Sequence, residues 1–92
     1  MKFIIYDRKT MDISIFDVYT ADMQNNGLVC IDVVDDSADA YGIGCKWLED
    51  NVFNNASGNV GFNMFIVDEA KITDAIRRSE GVVKGMYPEY FV

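Results

Sequence analysis

The stretch Gly27–Asp39, GLVCIDVVDDSAD, changes character halfway along its length. Its first half is rich in β-branched and apolar residues, which favour a strand over Leu28–Val34, and Gly27 marks the turn before that strand. Three carboxylates follow the strand directly: Asp35, Asp36 and Asp39. The pattern therefore predicts a buried strand that delivers a group of acidic side chains to one place on the surface.

Two further strands are predicted before this stretch. Lys2–Tyr6 is apolar on both faces, and Met11–Tyr19 begins with apolar and polar residues in alternation. The polar turn Asp7–Thr10 between them is short enough for an antiparallel hairpin. The alternation breaks after Ile15, which predicts a β-bulge near Phe16.

In the third strand, strict alternation would place Val29, Ile31 and Val33 on one apolar face. Asp32 then lies on the other face, which must meet water at least in part. The loop Thr20–Gly27 before this strand has room for one helical turn.

The segment Asp35–Gly44 leaves two conformations open. Apolar residues recur at helical spacing behind Ser37, a suitable N-cap. Gly42 and Gly44 argue against a helix here, because each costs about 1 kcal/mol relative to alanine in a helix interior. We therefore expect a helix over Cys45–Asn55 and leave the preceding segment either helical or extended.

The C-terminal part is predicted to add a turn, a strand, a helix and an edge strand. These elements cover Asn54–Asn59, Val60–Val67, Glu69–Ser79 and Val82–Met86. Asp68 is placed to cap the helix at its start, and Gly81 is suited to end it. The order β-β-β-α-β-α-β predicts an α+β fold with a mainly antiparallel sheet of about four or five strands and two helices.

Length and charge limit what the protein can do. The 92 residues are predicted to form one compact acidic domain, 1–92, since a chain of this length supports one core. Residues 11–50 hold nine acidic residues and the single base Lys46, whereas the rest of the chain holds six acidic and seven basic residues. The acidic part repels phosphate, which argues against direct binding of nucleic acid or of an anionic membrane. It favours a basic protein surface as partner.

Residue types that are absent exclude several chemistries. The chain has no histidine, which removes Ser-His-Asp and Cys-His catalysis and the common zinc sites. The start of the chain lacks the apolar run of a signal peptide, so we expect a cytoplasmic protein in which Cys30 and Cys45 are reduced core thiols. The DxxDDxxD pattern at 32–39 offers oxygen ligands for Ca²⁺ or Mg²⁺ but lacks the glycine and glutamate of an EF-hand loop. We expect no cofactor and no metal.

The candidate partner-binding set combines the acidic residues around the third strand and the second helix with the only tryptophan. Its members are Asp32, Asp35, Asp36, Asp39, Trp47, Glu49 and Asp50. Three more carboxylates would join it if the hairpin lies beside the strand exit: Asp12, Asp17 and Asp22. The alternative assigns the carboxylates to turns, helix termini and solubility, and Trp47 to the core. The aromatic tail Tyr87–Val92 either docks back on the sheet or forms an exposed anchor.

These features predict a small non-enzymatic protein whose acidic surface binds and blocks a basic, nucleic-acid-binding surface of a protein partner. Small acidic inhibitors that phages encode against bacterial defence systems, anti-CRISPR proteins among them, have this size and charge, although the analogy rests on no motif. An immunity or antitoxin protein that neutralises a nuclease toxin is the alternative. A small-molecule-binding or metal-binding domain, or an enzyme, is the third hypothesis.

Overall fold

The structure, a computed structural model, has an α+β architecture. It describes residues 1–53, 56–60, 64–67 and 69–90, with side chains described in 1–53 and 69–89. These residues form three α-helices, a three-stranded antiparallel sheet and a separate two-stranded sheet. The predicted fold class is confirmed, but the main sheet has three strands instead of four or five, and there is a third helix.

The elements follow each other along the chain with short connections. In order they are β1 (Lys2–Asp7), β2 (Asp12–Phe16), α1 (Ala21–Asn25), β3 (Leu28–Val34), α2 (Ala40–Leu48), a π-helical segment (Glu49–Phe53), β4 (Ala56–Val60), β5 (Met64–Val67), α3 (Glu69–Met86) and a 3₁₀ turn (Pro88–Tyr90). The short α1 confirms that the loop before β3 holds one helical turn.

β1 is the central strand of the main sheet, whose order is β2-β1-β3 with both pairs antiparallel. Its apolar run Phe3–Tyr6 is buried on both faces, as expected for a strand with neighbours above, below and on either side. On one face, Ile4 and Tyr6 join a core cluster with α2 and α3. On the other face, Phe3 and Ile5 pack with residues that include Tyr19.

A β-bulge lies in β3 and not near Phe16, where it was predicted. The β1–β2 register runs without a shift from Phe3–Phe16 to Asp7–Asp12. In β3 the register shifts at Ile31, because Ile4 pairs with Asp32 whereas Ile5 pairs with Cys30. The extra residue reverses the alternation, so Val33 shares a core cluster with Cys30 and not with Ile31, and the predicted common face is wrong beyond the bulge.

α2 begins earlier than the sequence predicted, at Ala40, so the open segment Asp35–Gly44 is helical over 40–44 and not over 35–39. Asp39, not Ser37, is the N-cap, and its side chain accepts a hydrogen bond from the Gly42 N–H at 3.1 Å. Gly44 is buried against the sheet, and a Cβ atom there would lie 2.6 Å from Cγ2 of Ile13. The helix therefore tolerates this glycine because close packing on the sheet requires it.

α3 runs through Gly81 to Met86, so the predicted helix end at Gly81 and the edge strand over Val82–Met86 are wrong. The helix continues because Val83 is buried in the second core cluster, and Tyr87 packs against the same cluster from beyond the helix end. Burying such side chains outweighs the roughly 1 kcal/mol cost of a glycine in the helix interior.

β4 and β5 pair as an antiparallel hairpin where one strand, Val60–Val67, was predicted. β4 falls largely on the predicted turn Asn54–Asn59, so that prediction is wrong for Ala56–Asn59. Residues 54, 55 and 61–63 and the predicted cap Asp68 lie outside the described residues.

Candidate acidic interface

The exits of β2 and β3 lie at the same end of the main sheet. Phe16, the last residue of β2, pairs with Phe3, and Val34, the last residue of β3, pairs with Lys2. Because neighbouring strands lie about 4.8 Å apart and β1 lies between these two, the exits are separated by about 10 Å. The carboxylates that follow the two exits therefore lie near one another. We call Asp17, Asp35, Asp36 and Asp39 the acidic end.

Asp35 is held in an ionised form by the turn that follows β3. Its Oδ1 accepts hydrogen bonds from the backbone N–H of Ser37 at 3.1 Å and from the Ser37 hydroxyl at 3.3 Å. These hydrogen bonds lower the pKa of the Asp35 carboxyl below its ordinary value. The side chain is exposed, so it presents a full negative charge to solvent at neutral pH.

Asp36 and Asp39 are also oriented by local contacts. The amino group of Met1 lies 2.9 Å from Oδ1 of Asp36, whose side chain is 74% exposed. Asp39 is exposed and caps α2. Lys2 pairs with the last residue of β3 at the same end, so it and the Met1 amine offset part of the negative charge. The remaining charge is negative and faces solvent.

Asp32 lies further inside than the acidic end. It is half-buried in β3 opposite Ile4, and its Oδ1 accepts a hydrogen bond from the Val33 N–H at 2.8 Å. Asp32 therefore lies within β3 and does not belong to the exposed carboxylates that follow the strand.

Glu49 and Asp50 lie at the opposite end of α2 from the acidic end. With a rise of about 1.5 Å per residue, the chain from Asp39 to Asp50 extends about 16 Å along the helix. Oδ2 of Asp50 lies 3.6 Å from Nζ of Lys46, four residues earlier in the chain. The seven predicted site residues are therefore not one cluster, and Glu49 and Asp50 form a second acidic position.

Of the three carboxylates that the sequence made conditional on the hairpin, only one joins the acidic end. Asp17 follows β2 at the shared exit, whereas Asp12 pairs with Asp7 at the opposite end of the sheet. Asp22 lies on α1, which precedes the start of β3. The signal that places Asp17 is the antiparallel pairing of β1 with both neighbours, which brings two strand exits together.

Trp47 links α2 to the rest of the fold. Its indole N–H donates a hydrogen bond to Oγ of Ser79 on α3 at 2.8 Å. The centroid of its ring lies 5.2 Å from the ring centroid of Tyr6 on β1, and the two ring planes are tilted by 52°. The half-buried indole therefore makes contacts within the molecule, and a role in binding a partner stays a prediction.

The two cysteines are unpaired and differ in exposure. Cys30 is fully buried, and burial raises the pKa of its thiol to about 12. Cys45 is half-buried on α2, where its hydrogen bond with the exposed Tyr41 hydroxyl raises the pKa of that phenol. Within the part of the chain that the structure describes, no three Cys, Asp or Glu side chains converge to hold a metal ion.

The aromatic tail begins by docking back on the molecule. Tyr87 is half-buried against the second core cluster, and its N–H donates to the Val83 carbonyl at 2.8 Å. Phe91 lies outside the described residues, as does the side chain of Tyr90. Among the helices in the described ranges, none is long and apolar enough to cross a bilayer.

A basic cleft is the feature that sequence reasoning missed. It lies between the β1–β2 turn and α3 and is lined by cationic side chains that include Arg8, Arg77 and Lys84. These residues are far apart in the chain, and the sequence carried no signal that Arg8 would meet α3. Searches against protein-family models, curated proteins and solved structures find no match to this chain.

Proposed function

We propose that this protein is a non-enzymatic binding protein whose acidic end docks on a basic surface of a protein partner and blocks it. The observation that carries the proposal is the shared exit of β2 and β3, which adds Asp17 to the carboxylates that follow β3. Exposed carboxylates at the exits of two strands that flank β1 provide a surface that attracts Lys and Arg side chains by steering and charge complementarity.

The spacing of the carboxylates favours a partner surface that binds nucleic acid. The strand exits span about 10 Å, and over that distance one strand of DNA carries about three phosphate charges. The acidic end offers four carboxylates against the two positive charges of Lys2 and the Met1 amine, which leaves a net charge of −2. A net negative charge at this position is what an inhibitor of a nucleic-acid-binding protein or an immunity protein against a nuclease would need.

The decisive experiment compares two variants of equal net charge. Asp35→Lys with Asp36→Lys reverses two charges at the acidic end, and Glu49→Lys with Asp50→Lys reverses two at the far end of α2. Each tagged variant and the wild type would be used to capture partners from lysate of the native host at low and at high salt. Affinity for the purified partner would then be measured by titration calorimetry.

We expect the wild type and the Glu49/Asp50 variant to bind one nucleic-acid-binding protein in a salt-sensitive manner. The Asp35/Asp36 variant should bind at least about a hundredfold more weakly, because facing like charges costs several kcal/mol. Equal affinity of the two variants would contradict the proposal, since only overall charge would then matter. Thermal unfolding of both variants controls for loss of the fold.

A further inference from the structure

The basic cleft has the size and lining of a small-molecule site. Its volume is about 370 Å³, and it lies between the β1–β2 turn and one face of α3. Ligand pockets in proteins have volumes of roughly 300–1,000 Å³, which places the cleft at the lower end of that range. A site of this size takes a metabolite and not a folded partner.

Helical spacing brings the lining residues of α3 onto one face. Thr73, Arg77, Gly81 and Lys84 recur at intervals of three and four residues along α3, which aligns their side chains on one face. Gly81 has no side chain, and a Cβ atom there would meet nothing within 4 Å. The cleft is therefore open between the two cationic side chains on either side of this glycine.

Arg8 reaches the same cleft from the other side. Its backbone N–H donates to the Gly27 carbonyl at 3.1 Å, which fixes the turn beside the start of β3. Its guanidinium Nη2 donates to Oγ1 of Thr73 at 3.2 Å. This contact uses one of the five N–H donors of the guanidinium, so the others can still meet a ligand.

The charges in the cleft are unequally paired. Glu80 forms an ion pair with Lys84 one turn later, so these two charges offset each other. Arg77 has no ion pair or hydrogen bond to any residue that the structure describes, whereas its neighbour Arg78 lies 3.5 Å from the Asp74 carboxylate. The positive charge that remains in the cleft is that of Arg8 and Arg77.

We propose that the cleft binds a small molecule that carries a phosphate group. Two guanidinium groups can donate paired hydrogen bonds to phosphate oxygens, and the Thr73 hydroxyl beside Arg8 lines the same cleft as a further donor. The buried side chain of Ile76 lines the same cleft and offers an apolar wall to the organic part of the ligand. This site is separate from the acidic end and does not depend on the function proposed for it.

The test is a titration of the ¹⁵N-labelled protein at low ionic strength with inorganic phosphate, AMP and adenosine. We expect saturable shifts of the amides around Arg8 and Arg77 with phosphate and AMP, and none with adenosine. Arg77→Gln should weaken binding about tenfold or more, since hydrogen bonds to charged groups contribute about 1.5–3 kcal/mol. The matched control Arg78→Gln removes the same charge from the next residue and should change the affinity less than twofold.

Three results would overturn the proposal. The first is the absence of saturable shifts in the cleft with phosphate and with AMP. The second is equal weakening of binding by the two arginine variants, as expected for unspecific attraction. The third is tighter binding of a single-stranded oligonucleotide than of AMP, with shifts along α3 beyond the cleft. That result would identify a nucleic-acid surface instead. Both arginines are exposed, so their replacement leaves the core intact.

Discussion

The two longer helices, α2 and α3, each contain two glycines, but the glycines do different things. A Cβ atom on Gly44 of α2 would lie 2.6 Å from Ile13 Cγ2 and 2.9 Å from Ile4 Cγ2, so α2 approaches the sheet as closely as the backbone allows. Gly81 and Gly85 of α3 have nothing within 4 Å of that position. The same residue type therefore permits close packing in one helix and only lowers helix propensity in the other.

The helices also differ in charge and in what they cover. α2 begins at the acidic end, where Asp39 is its N-cap, whereas α3 lines the basic cleft. Val83 of α3 packs in the cluster that encloses the Cys30 thiol, and the Cys45 thiol is half-buried on α2 itself.

Thiol labelling should distinguish the two cysteines most strongly. The pKa of Cys30 is raised from 9.0 to about 12 by burial, so its thiolate fraction at neutral pH is about a thousandfold smaller than that of an ordinary thiol. We expect iodoacetamide to modify Cys45 in the native protein and to reach Cys30 only on unfolding, as followed by mass spectrometry. Modification of both at similar rates would show that α3 does not protect β3.

The same pKa shift gives a pH dependence of stability. The folded state holds the Cys30 proton more tightly than the unfolded chain does, so this contribution is complete below pH 9 and is lost as the pH rises towards 12. The tyrosine pKa values raised by burial, including that of Tyr19 at about 12, act in the same direction. Urea unfolding of Cys30→Ala should therefore depend less on alkaline pH than that of the wild type.

Replacing glycines tests the packing comparison directly. Gly44→Val should lower the free energy of unfolding by about 3 kcal/mol, because the new side chain overpacks the contact with β1 and β2. The matched Gly81→Ala should raise it by about 1 kcal/mol through helix propensity alone. Urea unfolding monitored by circular dichroism measures both changes. A stable Gly44→Val protein, or a destabilised Gly81→Ala protein, would remove the distinction between the helices.

The hydrogen bond that joins the two helices should give the smallest effect. A double-mutant cycle of Trp47→Phe and Ser79→Ala isolates the 2.8 Å contact between the indole N–H and the serine hydroxyl. We expect a coupling free energy of about 1 kcal/mol, typical of a hydrogen bond in a folded protein. Additive effects of the two substitutions in urea unfolding would mean that α2 and α3 are held together by apolar packing alone.

The sequence predicted those elements whose pattern is local. β1, the hairpin turn and β3 follow from apolar runs separated by turn residues, and the carboxylates after β3 followed from the residue order. The prediction failed where tertiary packing decides how far a helix extends. Gly42 and Gly44 argued against a helix on propensity grounds, and Gly81 was expected to end one. The packing of Gly44 against the sheet and the burial of Val83 continue both helices through these positions.

The candidate site was predictable only in part for the same reason. Asp35, Asp36 and Asp39 are close in sequence, and the structure keeps them together. Asp17 joins them through strand pairing, and Asp50 is removed from them by the length of α2. The first fact depends on which strands become neighbours, and the second on the helical conformation of 40–44, which the sequence left open.

The acidic end is tested most directly by locating where the protein binds a cation-rich chain. The ¹⁵N-labelled protein would be titrated with a decalysine peptide at low salt while the backbone amide shifts are recorded. If the acidic end is the interface, the largest saturable shifts fall on Asp17 and on residues 35–39, and they vanish in the Asp35→Lys, Asp36→Lys variant. Largest shifts at Glu49 and Asp50, or shifts of similar size at every acidic residue, would contradict the claim that the acidic end is the interface.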